Sequence, residues 1–257
     1  MHLFIPATFV ALLSATAASN VPHPQHIFSN AAPKEATYRI PTVHESAIQA
    51  RRILRLEKIG TLSTVFPSSS AHANENRPHD VSGIPIGLMD YFGDCERTDN
   101  AGNPTILAIT IATSFKNVAS GSNITLSLRW HNPSPHVISV AGDPRFSLIG
   151  YLEDIPNSEL LTKDQNVPAC FVKTHADAAW WLPGNRIHSS KWVRLVVQEV
   201  YWIGGFGDRA YIGWIPLEEW KSVTEEEIEA VKLPGEKSAC TRKKGWKSWL
   251  GFGSQEL

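Results

Sequence analysis

The sequence predicts a mainly β domain with flanking helices, an α+β fold in which six or seven strands and a few helices make one barrel-like domain. Three observations lead to this prediction. Residues 191–203 (KWVRLVVQEVYWI) are a run of β-branched and aromatic side chains, and a glycine-rich turn at 204–207 returns the chain as a second strand to about residue 215. Shorter β-rich segments precede this hairpin. The 257 residues are 42% hydrophobic and show no internal repeat, so we expect one domain with one sizeable core.

The long strand at 191–203 carries apolar side chains on both faces. This predicts that both faces are covered, one by the core and the other by a helix or a second subunit. The nine tryptophans of the chain likewise predict a large buried surface or a dimer contact. Strict alternation along the strand places six residues on one face: Trp192, Arg194, Val196, Gln198, Val200 and Trp202.

The N-terminal residues predict targeting. Residues 3–19 (LFIPATFVALLSATAAS) are apolar and then small, which is typical of a secretory signal peptide spanning 1–19, although only His2 precedes the apolar run. The alternative is a buried N-terminal helix, and Pro6 argues against it. Residues 20–41 are rich in Pro, Asn, Ala and His and predict an irregular arm. No later segment reaches the length of a membrane span.

Two capping boxes mark helices near the ends of a domain expected to span 42–232. Thr42 and Glu45 form the first, and an amphipathic helix follows and ends at Gly60. Its basic face is expected to be solvated. Thr224 and Glu227 form the second, which opens a short helix to about residue 232. The basic and aromatic tail at 233–257 predicts a disordered end, and the alternative is a peptide that contacts a membrane surface or a partner.

Five further strands are predicted between these helices, at 61–65, 83–91, 105–112, 123–130 and 145–154. Pro85 places the second of them at a sheet edge or a bulge. Residues 113–117 are expected to lead out of the third strand as a loop. Residues 159–181 have a helical pattern broken at Pro168, with the helical part nearest the hairpin at 169–181.

Charge, cysteines and one sequon limit the function classes. The formal net charge of −1 provides no field that would recruit nucleic acid. An oxidising compartment permits a disulfide, and Cys95 with Cys170 is the preferred pair because Cys240 lies in the tail. The alternative is three ordinary thiols, and the spacings do not match a metal site. Asn123 begins an Asn-Ile-Thr sequon at the start of a predicted strand, so it is a candidate glycosylation site.

Motif spacing alone predicts no enzyme class. No nucleophile elbow, Walker loop or HExxH helix occurs in the sequence, and 204–207 does not match the dinucleotide fingerprint. The carboxylates show no pairing that the sequence can establish. Each scattered histidine is expected to be structural rather than catalytic: His131, His136, His175 and His188. We therefore predict no catalytic residue.

Several segments, in order and spacing, carry a family resemblance. They are ESAIQARRILRLEKIG followed by TLSTV, GIPIGLMDYFGDC, NPTILAITIATSFKN followed by ITLSLRW, DPRFSLIGYLEDI, CFVKTHADAAWWLP and WVRLVVQEVYWIGGFGDRAYIGWIPLEEW. Over about residues 42–220 the chain resembles the CREG-like β-barrel family of the pyridoxamine 5′-phosphate oxidase-like, FMN-binding split barrels. The resemblance implies a split β-barrel that forms a homodimer through a large face. It also implies a secreted or endolysosomal glycoprotein that acts through binding.

The wider superfamily holds flavin mononucleotide (FMN) at the dimer interface, with its phosphate near the end of a barrel strand. Thr113, Ser114 and Lys116 occupy the similar place here and are the candidate phosphate ligands. Hydroxyls and a lysine after a strand are also ordinary turn residues. The Arg-rich strand of true pyridoxamine-phosphate oxidases is not evident, and residues 175–178 (HADA) depart from the family's His-Pro-Asp-Ala.

Three hypotheses follow from the sequence. The first is a non-catalytic, dimeric CREG-like protein of the secretory pathway, extracellular or endolysosomal or vacuolar, which binds an unknown protein or small molecule and needs no cofactor. The second is an FMN-dependent oxidoreductase of the pyridoxamine 5′-phosphate oxidase type, in which the flavin supplies the redox chemistry. The third is a module that contacts a membrane through the tail at 233–257.

Overall fold

The structure, a computed structural model, describes residues 39–68, 78–137 and 139–236. The predicted signal peptide, nearly all of the arm and most of the tail lie outside these ranges. The strands are β1 (Ile59–Val65), β2 (Pro85–Tyr91), β3 (Thr105–Ile109), β4 (Ile124–Arg129), β5 (Arg145–Asp154), β6 (Ser190–Ile203) and β7 (Ile212–Ile215). The helices are α1 (Val43–Leu56), α2 (Thr113–Ala119), α3 (Asn157–Leu160), α4 (Val167–Thr174), α5 (Leu217–Ser222) and α6 (Glu225–Ala230). None of the described helices is long and apolar enough to cross a membrane.

The seven strands form one curled antiparallel sheet with the order β2-β1-β4-β5-β6-β3, and β7 pairs with β6. Pro85 begins the edge strand β2, as its missing N–H requires. Just beyond β2, Gly93 exchanges two backbone hydrogen bonds with Thr105 at the start of β3, of 2.9 and 2.8 Å. The sheet therefore closes at this point, while β2 and β3 diverge on the other side of it. The result is the split β-barrel that the sequence predicted.

A β-bulge in β6 changes which side chains face the core. Ile149 pairs with Glu199 but Gly150 pairs with Val197, so Gln198 has no partner in the register. The core side chains are therefore Val193, Leu195, Val197, Val200 and Trp202. The strict alternation predicted for this strand is wrong beyond Gln198, because the extra residue reverses the side on which each following side chain lies.

Both faces of β6 are covered only in its first half. Trp192 on the outer face packs in a second, smaller core cluster together with Phe171 of α4. After the bulge, Tyr201 and Ile203 on the outer face are partly exposed. The prediction of a strand covered on both faces is thus confirmed for its first half and wrong for its second half.

Helix α1 begins with the predicted capping box, in which the Thr42 hydroxyl accepts from the backbone N–H of Glu45. It ends at Leu56, four residues before the predicted stop at Gly60, because β1 begins at Ile59. The prediction that its basic face is solvated is wrong. Arg51 is buried and donates to the backbone oxygen of Trp220 at 3.1 Å. Where a guanidinium contacts the C-terminal helices, a protein acceptor takes the hydrogen bond that water would otherwise accept from it.

The C-terminal helices hold α1 against the barrel. The second capping box is present, with the Thr224 hydroxyl accepting from the N–H of Glu227. His44 of α1 lies between two carboxylates, Glu219 at 2.8 Å and Glu227 at 3.1 Å, and its hydrogen bonds to Glu227 and then Glu219 raise its pKa. Leu233 is buried in the core, so the domain continues past the predicted boundary at 232.

Two connecting segments differ from the sequence predictions. Residues 113–119, expected to begin as a loop, form α2, which packs on β1. The helical stretch predicted at 169–181 is divided at His175 into α4 and a 3₁₀ turn, Ala176–Trp181. Pro168 lies in the first turn of α4, where proline needs no hydrogen-bond partner, and does not break the helix.

Candidate functional site

A cleft of about 280 Å³ opens where β2 and β3 diverge. β2 contributes one wall, β3 the floor, and α4 with the 3₁₀ turn the opposite wall. The alternation of the strands brings the exposed side chains of β2 and the outer side chains of β3 to the same place. The residues around it are mostly apolar or aromatic: Ile59, Met89, Asp90, Tyr91, Leu107, Ile109, Phe171, Ala178 and Trp181.

An aromatic stack forms the inner part of the cleft. The ring of Tyr91 lies parallel to that of His175 with centroids 4.2 Å apart, and Phe171 contacts His175 at 4.8 Å. The buried Nε2 of His175 is 2.8 Å from the backbone oxygen of Phe92, so this nitrogen donates its hydrogen. Burial lowers the pKa of His175, and nearby Lys58 adds to this effect. Burial therefore favours the neutral imidazole, and the structural role expected of His175 stays a prediction.

The polar groups near the cleft contact one another. The Tyr91 hydroxyl donates to Asp177 at 3.0 Å. The Asp90 carboxylate accepts from the backbone N–H of Tyr91 at 2.8 Å, and burial raises its pKa. Within the part of the lining that the structure describes, none of the residues is a lysine or an arginine. The cleft therefore favours an apolar or neutral group over an anion.

The predicted phosphate ligands lie on α2, and none of them is among the residues lining the cleft. Ser114 is 3% exposed, so its hydroxyl faces the protein. Thr113 opens the helix and Lys116 lies almost one turn further along it, both partly buried. The lining of the cleft consequently does not fit the phosphate of FMN, which needs positive charge and several donors. Flavin binding stays a prediction.

Exposed apolar side chains surround the cleft. Met89 of β2 is 78% exposed and Trp180 of the 3₁₀ turn is 75% exposed. Ile59 at the start of β1 and Ile111, two residues after β3, add apolar surface. These four residues are called the apolar rim below. Met89 and Ile59 line the cleft, and Trp180 and Ile111 lie within two residues of the lining residues Trp181 and Ile109 along the chain. Exposed apolar surface of this kind is typical of contact sites.

The wall opposite β2 is held by a disulfide and by buried charge. Cys95, in the segment after β2, is joined to Cys170 of α4. The neighbouring Glu96 is fully buried and pairs with Arg194 of β6 at 2.7 Å. Phe171, which follows Cys170, is thereby fixed at the inner end of the cleft. The two cysteines are the pair preferred from the sequence.

The remaining sequence-based sites are placed as follows. Asn123 is exposed immediately before β4, so its side chain is open to solvent, and its glycosylation stays a prediction. Among the described residues there is no group of three or more His, Cys, Asp or Glu arranged to hold a metal ion. The cleft itself was not predicted. Adjacent Trp180 and Trp181 were the one local pattern that could have indicated an exposed aromatic site.

Comparison with known proteins adds a family and a fold. The family model described as CREG, beta-barrel matches residues 41–222. No curated protein matches the sequence significantly. A solved haem-binding protein from Mycobacterium smegmatis is 19% identical with a TM-score of 0.51, and the alignment covers 72% of this chain and 62% of that one. The chain thus spans less than two thirds of that protein's length.

Two other solved structures show lower similarity. The haem storage protein HutZ from Vibrio cholerae is 13% identical with a TM-score of 0.38, covering 63% of this chain and 95% of that one. A putative pyridoxamine 5′-phosphate oxidase from Listeria innocua is 13% identical with a TM-score of 0.36, covering 63% and 98%. At its level of identity, the mycobacterial structure establishes a shared fold and nothing further.

Proposed function

Because the chain belongs to the CREG β-barrel family and has the split-barrel fold, we propose that it is a non-catalytic, dimeric binding module of the secretory pathway. The observation that carries this proposal is the apolar cleft with its apolar rim. Sites that bind through shape and burial are concave and mainly apolar, with few polar groups. The cleft has this character, and the one carboxylate in its described lining is Asp90.

The state of the polar groups supports a role in binding. General acid–base catalysis needs a group that is free to exchange a proton with a substrate. Here the Tyr91 hydroxyl donates its hydrogen to Asp177, and Nε2 of His175 donates its hydrogen to a backbone oxygen. The stack holds both rings in place, so the groups act as a rigid wall of the cleft. A nucleophile with an adjacent base is not found among the described residues of this wall.

The apolar rim supports assembly as a dimer. Met89 and Trp180 are large apolar side chains, and removing such side chains from water is strongly favourable. Residues of these two types are also enriched at interface cores. A second copy of the chain placed over the rim would cover these side chains and close the mouth of the cleft. The occupant of the cleft would then be held between two protomers.

Two features support the secretory pathway. The Cys95–Cys170 disulfide is of a kind that persists in oxidising compartments. The exposed side chain of Asn123, which begins the sequon, could accept a glycan, and glycosylation takes place in that pathway. Both agree with the signal peptide predicted at 1–19.

The second candidate is an FMN-dependent oxidoreductase, which the shared split-barrel fold favours. A bound flavin would supply hydride transfer, and the flat walls formed by Tyr91 and Trp181 would hold its ring. Against this candidate, the lining offers a carboxylate where the phosphate needs a cation. Binding of haem, which the names of two of the compared proteins mention, is a further outcome for the same test.

The test combines ligand titration with sedimentation. The full chain is expressed through a secretory host, and FMN and haemin are added while absorbance and flavin fluorescence are followed. We expect a colourless protein, no tight binding of FMN and a dimer by sedimentation velocity. Flavin that copurifies with the protein would replace the proposal with the oxidoreductase, and a monomer at all concentrations would refute the dimer.

Two variants test the rim directly. M89D and W180D place a charge in the apolar rim and should convert the dimer to a monomer, because a buried unpaired carboxylate is costly. L161D is the matched control, since Leu161 is also an exposed large apolar residue but is not part of the rim. Equal loss of the dimer in all three variants would show that the rim is not the interface.

A further inference from the structure

A second groove, of about 360 Å³, lies on the outer face of β4, β5 and β6. The register aligns four hydroxyl side chains in a row across the sheet. Thr61 pairs with Ser127, Ser127 with Ser147, and Ser147 with Tyr201. Because the inward-facing residues of these strands form the core, the hydroxyls are turned outward and are partly exposed.

Two arginines face each other next to this row. Arg129 at the end of β4 pairs in register with Arg145 at the start of β5. Like charges directly opposite one another on neighbouring strands destabilise a sheet. A negative charge placed between the two guanidinium groups would offset their repulsion, so we expect an anion at this position.

The described residues provide no such counter-charge by direct contact. Nε of Arg129 donates to Nε2 of His131 at 3.0 Å, and the carboxylate of Glu57 binds the other ring nitrogen. Nη1 of Arg145 donates to the backbone oxygen of Ala141 at 2.9 Å. Each guanidinium has five N–H groups, so both keep donors beyond these bonds. Among the described residues, no carboxylate forms an ion pair with either arginine.

Two other arginines of the described chain, Arg55 and Arg194, do have carboxylate partners. Arg55 binds Glu225 and Arg194 binds Glu96, each at short range. The carboxylate nearest the groove along β6 is Glu199, which lies beyond the hydroxyl row on the side away from the arginines. The groove therefore combines positive charge at one end with hydroxyls along its floor.

We propose that this groove binds the phosphate or sulfate group of a monoester ligand between Arg129 and Arg145. Planar guanidinium groups bind such oxyanions through two parallel hydrogen bonds. Ser127 and Ser147 are 2.9 Å apart and share one hydrogen, so one of their hydroxyls is available to donate to the anion. The organic part of the ester lies along Tyr201, whose ring packs against Trp214 at 5.0 Å.

The groove is separate from the cleft in its lining. None of the described residues that line the groove also lines the cleft. Binding of a monoester therefore does not depend on the proposed function, and each can fail without the other.

Isothermal titration calorimetry of the full chain in a phosphate-free, low-salt buffer tests the proposal. Four probes are used: glucose 6-phosphate, glucose 6-sulfate, inorganic phosphate and glucose. We expect one or both esters to bind and glucose to give no heat. Binding of inorganic phosphate as tight as that of the ester would assign the site to the free anion, whereas absence of binding for all three anions overturns the proposal.

Three variants locate the binding. R129Q and R145Q should each weaken ester binding by about tenfold or more, because each removes charge-assisted hydrogen bonds. R186Q removes an equal charge from an exposed position outside the groove and should change binding by less than about twofold. Equal weakening in all three would overturn the proposal in favour of a general charge effect.

A stability measurement gives an independent result. Without ligand and at low salt, R129Q should unfold at the same or a higher temperature than the natural chain, because the repulsion between the arginines is relieved. Addition of the ester should then raise the midpoint of the natural chain but not that of R129Q. A lower midpoint for R129Q, together with no rise in the midpoint of the natural chain when the ester is added, would show that Arg129 has only a structural role.

Discussion

Replacement of Arg194 by methionine should destabilise the protein strongly. Arg194 is 3% exposed and pairs with Glu96, Glu153 and Glu159. Glu153 and Glu159 are partly exposed and can turn toward water, but Glu96 is fully buried and cannot. R194M therefore leaves one uncompensated carboxylate in the interior, which costs about 3–5 kcal/mol.

For a domain of this size, that loss corresponds to a fall of about 6–20 °C in the midpoint of thermal unfolding. Urea unfolding followed by tryptophan fluorescence measures the free energy directly, and calorimetry measures the midpoint. The matched control is K191M on the same strand, because Lys191 forms an exposed ion pair with Asp154 at 2.6 Å. The control should cost less than about 1 kcal/mol.

A double-mutant cycle tests the reason for the loss. In E96Q/R194M the buried carboxylate is gone, so the double variant should be more stable than the sum of the two single changes predicts, by about 1–3 kcal/mol. If R194M costs no more than K191M, or if the two changes are additive, the buried charge is not what Arg194 compensates.

Three more predictions concern the disulfide, the pH dependence and the sequon. The double variant C95A/C170A should lose about 4 kcal/mol in urea unfolding, because the cysteines are separated by 75 residues and their crosslink limits the unfolded chain; an unchanged midpoint would contradict this. The raised pKa of His44 means that its ion pairs stabilise the fold fully below its unfolded pKa of about 6.5, and this contribution is lost as the pH rises through the higher folded pKa. H44Q should therefore be less stable than the natural chain at acidic pH by up to about 1 kcal/mol and nearly equal to it at alkaline pH, and a constant difference would refute the assignment. N123Q expressed in a secretory host should migrate faster on a gel than the natural chain, and identical migration would show that the sequon is unused.

Features governed by local interactions were predictable from the sequence. β5 spans the predicted residues, and both capping boxes are present at Thr42 and Thr224. Pro85 marks an edge strand, as the absence of its N–H requires. The run of β-branched and aromatic residues and the glycine turn predicted the hairpin because both act over a few residues. The order of the matching segments then predicted the split barrel.

Features governed by contacts between distant residues were not predictable in the same way. The periodicity of α1 predicts which side is basic, but not that Trp220 and Glu225 lie against that side. The bulge at Gln198 depends on the partner strand β5, and one additional residue there reverses the faces of the rest of β6. Helix α2 forms at 113–119, where Thr113 and Ser114 were expected in a loop, because packing on β1 outweighs their weak helix propensity.

The two candidate sites show the same division. The sequence by itself determined that this chain forms a barrel-like domain with a long closing hairpin, since strand propensity, capping and turn residues are local properties, and the family resemblance implied that the barrel is split. Only the tertiary structure brought Met89, Leu107 and Trp181 to one cleft, and Arg129 to a position opposite Arg145. These residues lie far apart in the chain or on separate strands, and the curl and register of the sheet decide which of them meet.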